Sequence, residues 1–298
     1  MTATRARWAD EIDARARAHW TDDRLAQLLD GKRPVISPRD GAVLLRALGL
    51  SRDDTSLLQP RKYFQVNHMV ALLGPAIRDL RARHAVIRLL DAGCGRSYLT
   101  LLLAWCARHV WGHPLEVVGI DRDADVIAEA RRRAELAGLA DVVRFEVGDV
   151  AACAELEVHG VVALHACDTA TCDALAVGVA RGADLLAVAP CCQAELARAW
   201  GELAAGAGSF SPIWRSPHLR RETAADITDA MRVALLSAAG YDVSAMEFVP
   251  AEHTRKNTLL VAVRHGRPGS RADYEALRDA TGGADIRLAR AIRVPSPP

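Results

Sequence analysis

No apolar run in this chain of 298 residues approaches the roughly 18 that a membrane span needs, and residues 1–10 lack the apolar core of a secretory signal. A cytoplasmic protein is the expectation. No sign of charge prevails: 38 Lys and Arg stand against 37 Asp and Glu, a formal net charge of +1. That leaves no whole-molecule field for nucleic acid or anionic lipid, so any such surface must be local. Lysine is almost missing, present only at Lys32, Lys62 and Lys256 while arginine is abundant, which reads as the codon usage of a GC-rich genome rather than as function. Cys-x-x-Cys pairs are missing too, and the seven cysteines (Cys94, Cys106, Cys153, Cys167, Cys172, Cys191 and Cys192) are an odd number. This excludes the paired framework of a small secreted domain and implies reduced thiols. There is no repeat at a solenoid period and no low-complexity tract before the closing Pro295-Ser296-Pro297-Pro298. With 50% hydrophobic residues at this length, the chain can bury one large core.

What is present centres on Leu89-Leu90-Asp91-Ala92-Gly93-Cys94-Gly95-Arg96-Ser97. An apolar run, 86–90, reads as a buried strand that empties into an Asp-x-Gly-x-Gly turn, and an apolar helix follows over 98–109. Glycine at both positions permits a sharp turn and a close backbone approach to a ligand. Two further runs, 115–120 and 142–147, end in Asp121 and in Gly148-Asp149. The repeated unit of strand, acid and helix predicts an open parallel sheet whose crevice lies at the carboxyl ends of its strands, with Asp91, Asp121 and Asp149 along it. No third glycine completes the dinucleotide pattern, so no pyrophosphate needs cradling. Asp121 suits a ribose diol and Asp149 an adenine amino group, because a carboxylate accepts from such donors. Helix capping by each of these aspartates is the competing explanation.

Ahead of the sheet, 6–20, 22–29 and 41–50 carry apolar residues at helical spacing, and they are expected to form a helical cap that either packs or recognises substrate. Lys62-Tyr63-Phe64-Gln65-Val66-Asn67-His68-Met69 opens a helix to residue 83, and Gln65, Asn67 and His68 either meet a cofactor or cap that helix. A fourth apolar run, 161–164, delivers His165-Ala166-Cys167-Asp168-Thr169-Ala170-Thr171, and a fifth, 185–189, delivers Pro190-Cys191-Cys192-Gln193. Residues 243–249 and 259–263 read as the last two strands, antiparallel because the connection between them is short. Between the fifth and sixth strands, 193–205 and 222–239 read as helices and 206–221 as a Gly/Ser/Pro-rich loop. That loop carries Trp214, Arg215, His218, Arg220 and Arg221, a composition that suits base stacking and phosphate contact, though a solvated loop explains it as well. The tail after residue 265 predicts one short helix, 273–280, and a frayed end.

Together these motifs resemble the class I S-adenosylmethionine-dependent methyltransferases, over roughly residues 62–264. The resemblance implies an α/β fold with a Rossmann-like seven-stranded sheet, mostly parallel with an antiparallel last strand, and S-adenosylmethionine as cofactor. It places Asp91, Gly93 and Gly95 at the amino-acid moiety, Asp121 at the ribose and Asp149 at the adenine, with His165 also at the cofactor. His-x-Cys-Asp-x-Ala-Thr, Pro-Cys-Cys-Gln and Glu252-His253-Thr254-Arg255-Lys256-Asn257 look like the methyltransferase-domain family that includes the glutathione S-transferase C-terminal-domain-containing protein. They are more distantly like the tRNA acceptor-stem ribose methyltransferases, whose zinc-finger modules this chain lacks. The implied organisation is a helical cap (1–60), a methyltransferase domain (61–265) and a helix with tail (266–298).

Methyl transfer from a sulfonium needs alignment and, for a hydroxyl or amine acceptor, a base. Asp168 and His165 are the expected catalytic pair, with His253 a further candidate. Asp168 capping the next helix and His165 bonded in the core are the competing explanations. Cys191, Arg220, Arg221, Lys256 and Asn257 are expected at the acceptor. No metal is expected, because the spacing of His165, Cys167, Cys191 and Cys192 does not suit zinc. An RNA acceptor, with tRNA one candidate, leads; a small molecule and a non-catalytic cofactor-binding module are the alternatives. The Asn-Pro-Pro-Tyr element of many amino-group methyltransferases is lacking.

Overall fold

Ile87–Ala92 (β1) is buried at five of its six positions, which is what a parallel strand covered on both faces requires. The computed structural model describes residues 3–164, 166, 168–190, 193–248 and 257–292, and these form two compact units, divided between Gly148 and Asp149.

In the first unit, α1 (Ala3–His19), α2 (Asp22–Leu29) and α3 (Ala42–Ala47) precede α4 (Pro60–Arg83). Then β1, α5 (Tyr98–Cys106), β2 (Leu115–Asp121), α6 (Ala124–Ala137) and β3 (Val143–Val147) alternate. The three strands run parallel in the order β3-β2-β1. Their register pairs Ala92 with Ile120 and Asp121 with Val147, so the carboxyl ends finish level. At Gly119 an added Cβ would stand 2.6 Å from the Phe145 ring and 3.2 Å from Cys94 Sγ. Its bareness gives that ring its place. Leu99 to Cys106 are all buried, the signature of a core helix. The sequence predicts one helix to residue 109; instead α5 passes into a π-helical turn, Ala107–Trp111, closed by Gly112 in the left-handed region.

The helical cap of the first unit is a packing element. Ile12, Ala16, Trp20, Leu25 and Ala42 make a core of their own, and α3 packs on α1, α5 and α6. Buried Asp54 accepts from Arg15 at 2.8 Å and Arg46 at 3.4 Å, while its carbonyl accepts from Trp20 Nε1 at 2.8 Å. Asn67, expected at a cofactor or a helix end, accepts the Ile36 N–H at 2.8 Å and donates to the Tyr63 carbonyl at 3.1 Å. Both of its functions are spent on the chain.

In the second unit, β4 (Gly160–Ala163), α7 (Thr169–Ala180), β5 (Leu185–Val188) and α8 (Ala194–Glu202) are followed by α9 (Ser211–Arg215) and α10 (Pro217–Ala238). β6 (Tyr241–Glu247), β7 (Thr258–Arg264), α11 (Ala272–Ala280) and α12 (Arg287–Ala291) complete it. β4 and β5 are parallel, and β7 is antiparallel to both β5 and β6, as the short connection requires. The strands make up the expected seven-stranded, mostly parallel mixed sheet of a Rossmann-like fold.

Two expectations in this unit are corrected. Residues 206–221 are not one loop, because Pro212 and Pro217 sit in the first turns of α9 and α10, where proline starts helices rather than breaking them. Trp214 is buried against Gly206, Gly208 and Gly282, not presented for stacking. The tail holds a second helix, α12, which packs on α7 and places Arg287 Nε 2.5 Å from Asp173 Oδ1. No helix of the described residues is long and apolar enough to cross a membrane.

Removing the Asp54 carboxylate strands two guanidinium groups that converge on it. Asp54→Ala is expected to lower the unfolding free energy by about 2–3 kcal/mol, read from urea denaturation; an unchanged midpoint would show that the cap does not rely on this pair.

Candidate functional site

The turn between β1 and α5 takes its shape from three left-handed residues, Gly93 (φ 68°), Gly95 (φ 53°) and Ser97 (φ 56°). Ser97 lacks the freedom of glycine, so its conformation costs about 1 kcal/mol or more. Two tethers hold the turn against the end of β2. The Cys94 N–H donates to the Ile120 carbonyl at 2.9 Å, and the Gly95 N–H donates to Asp121 Oδ2 at 3.0 Å. The other Asp121 oxygen accepts the Asp123 N–H at 3.1 Å. Asp123, not Asp121, caps α6, through the N–H groups of Asp125 and Val126. Capping therefore does not account for Asp121.

Asp91 is buried and accepts the Thr100 hydroxyl. Burial, with the nearby Asp121 charge adding, pushes its carboxyl up to about 6 despite that hydrogen bond. Burial and the same two carboxylates push the Cys94 thiol up as well, so it stays protonated and is no nucleophile. Thr100 escaped the sequence reading, although a threonine in the first turn of a helix that is otherwise apolar and aromatic was the signal to find it.

These residues fit the cofactor's amino-acid and ribose groups. A Cβ on Gly95 would meet nothing nearer than the Gly93 carbonyl at 4.0 Å, so space lies open over the turn, and Ser97 Oγ is buried without a hydrogen-bond partner. Asp91 and Asp121 provide negative charge for an ammonium and acceptors for a diol.

In the second unit, Asp149 accepts the Ala151 N–H at 3.1 Å and caps a 3-10 turn, Val150–Glu155. Asp168 sits at φ 51°, ψ −113°. Its Oδ1 accepts from the N–H groups of Ala194 and Glu195 at 2.9 and 3.0 Å, and its Oδ2 lies 2.7 Å from Arg198. The capping foreseen for α7 is thus given to α8. Behind it, Arg232 donates to the Asp168 carbonyl at 3.1 Å and pairs with Asp229 at 2.8 Å. Arg220 is turned back onto the Trp214 carbonyl at 2.7 Å, whereas Arg221 is exposed on α10. Asn257 donates to Glu247 Oε1 at 2.7 Å across the β6–β7 connection. His165, Cys167, Cys191, Cys192, His253 and Lys256 lie outside the described residues.

The family model of a methyltransferase domain matches residues 61–199. Residues 61–199 are a methyltransferase domain. The glycine turn and its two acids, on a Rossmann-like sheet, lie inside that matched range. No curated protein is detectably similar to it in sequence. Among solved structures it is similar to the magnesium protoporphyrin IX methyltransferase of Synechocystis at 20% identity, covering 75% of this chain and 94% of that one, with a TM-score of 0.41. An S-adenosylhomocysteine-bound methyltransferase of Podospora anserina shares 13% identity over 82% of this chain and 94% of that one, with a TM-score of 0.46. An rRNA methylase of Streptococcus thermophilus shares 9% identity over 70% of this chain and 99% of that one, with a TM-score of 0.41. None of the three assigns the methyltransferase an acceptor.

The raised Asp91 carboxyl has a consequence for the cofactor-free protein. A proton held more tightly in the folded than in the unfolded state contributes stability that is intact below pH about 4 and lost as pH rises through about 6. Asp91→Asn cannot titrate, so variant stability relative to wild type should improve by about 2 kcal/mol between pH 4 and 7. Parallel pH profiles from denaturant melts would refute the burial of a charge there.

Proposed function

We propose that this methyltransferase acts on RNA, with tRNA one candidate. One observation supports an RNA surface in particular: the first turns of α10 expose His218, Leu219 and Arg221 together. Such a patch supplies the local basic and apolar contacts that a net charge of +1 denies to the molecule as a whole.

In this reading S-adenosylmethionine supplies the methyl group as an electrophilic sulfonium, whose positive charge is lost on transfer. Asp91 faces the donor's ammonium, Gly93 and Gly95 let its amino-acid chain lie close to the backbone, and Asp121 accepts from the ribose hydroxyls. Asp149 reads the adenine amino group. His165 touches the donor and, with His253, is the candidate proton acceptor. Asp168 serves as a positioning residue, because its oxygens already hold the start of α8 and Arg198. Cys191, Lys256 and Asn257 complete the acceptor surface with Arg221, and with Arg220 once it leaves the Trp214 carbonyl; the methyltransferase domain spans residues 61–265 of a cytoplasmic protein.

The near balance of charge favours a second reading, a small-molecule acceptor. Tritiated S-adenosylmethionine incubated with separated RNA, protein and metabolite pools decides between them. Label in RNA, lowered at least tenfold by Asp121→Ala, is expected; label confined to metabolites selects the second reading, and donor binding without label in any pool selects a non-catalytic module. RNA affinity should also fall steeply between 50 and 200 mM salt, on the order of tenfold or more, as phosphate contacts lose their counterion-release gain; a Kd independent of salt would contradict a phosphate-binding surface.

A further inference from the structure

The head of α5 gathers two cations, only one of which is paired with a carboxylate among the described residues. Lys62, in the first turn of α4, holds its ammonium 5.1 Å from the centre of the Tyr98 ring. The Arg133 guanidinium lies 5.2 Å from the centre of the same ring. Arg133 has a carboxylate, Glu129 at 2.8 Å, and donates to the Arg96 carbonyl at 3.0 Å. Lys62 has none: among the described residues no Asp or Glu pairs with it. Yet it is half-buried, and burial draws its ammonium below the ordinary lysine range. An aromatic face returns less to a partly dehydrated ammonium than a carboxylate does.

The surroundings share that sign. Tyr98 opens α5 immediately after the glycine turn, and the first turn of that helix holds no acidic residue, so its unpaired N–H groups and dipole add positive potential. Ser97 Oγ, fully buried at the same helix start, has no partner. Asp91, at the end of β1, and Asp121, bonded to the Gly95 N–H, bring the opposite sign to the same turn. A ligand with both charges on one carbon, as in an α-amino acid, would set its ammonium toward the aspartates and its carboxylate toward the lysine.

We infer that Lys62, propped on Tyr98, is the counter-ion of the donor's methionine carboxylate and fixes which way the amino-acid end lies along the turn. This rests on the donor reading of the site. Lysine offers such a carboxylate a compact point charge rather than a planar fork.

The test compares two nucleosides by calorimetry on the full chain: S-adenosylhomocysteine, which carries the amino-acid group, and 5′-methylthioadenosine, which lacks it. Lys62→Met keeps an unbranched stem without the charge. Its affinity for S-adenosylhomocysteine should fall about 10-fold or more, with that for methylthioadenosine unchanged within twofold, and Lys62→Arg should recover part of the loss. Unchanged methylthioadenosine binding also certifies that the variant folds. An equal loss for both nucleosides would make Lys62 a structural residue and overturn the inference. So would an unchanged affinity for S-adenosylhomocysteine, or a selective loss in Arg96→Gln and not in Lys62→Met. In those three cases the wild type still binds, and the donor site stands; a wild type that binds neither nucleoside overturns both readings.

Discussion

One hydrogen bond, from the Gly95 N–H to the Asp121 carboxylate, ties the first turn of the sheet to the end of its second strand. It needs a left-handed backbone at Gly95, a carboxylate that is not consumed in capping α6, and strands whose ends finish level. The sequence meets each condition separately: glycine at 95, Asp123 as the cap, and the register that pairs Ala92 with Ile120. The same tether turns a mobile glycine loop into a shaped floor. Preorganisation of this kind lowers the ordering a ligand must impose when it binds.

Charge on that floor is distributed by burial as much as by residue type. Asp91 and Asp121 both stand at strand ends, yet Asp91 is enclosed and bonded to Thr100, while Asp121 spends its oxygens on backbone donors. Burial thereby raises the proton affinity of Asp91.

The strands were readable because each is a short apolar run stopped by Asp or Gly, and the β6–β7 pairing because its connection is too short for a crossover. The tight turn at Gly93 and Gly95, which acts through local backbone, was equally readable. What escaped was tertiary. Asp168 and α8 meet across 26 residues of chain, so no local pattern distinguishes a cap for the following helix from a cap for a later one. Trp214 looked like a stacking platform because its neighbours are polar and small; the same small residues, Gly206, Gly208 and Gly282, are what allow the ring to be enclosed. The prolines at 212 and 217 read as loop markers, and only the helices around them show that they stand at starts.

The bare position at Gly119 constrains how this floor can change over time. Phe145 pairs with it in register and its ring fills the place of the missing side chain, with Cys94 beside it. A lineage that acquires even a methyl group at 119 while keeping the ring at 145 crowds both neighbours at once. Drift here must therefore proceed by ordered, paired replacements, the ring shrinking first and the glycine being lost afterwards, and positions 94, 119 and 145 should vary together among descendants.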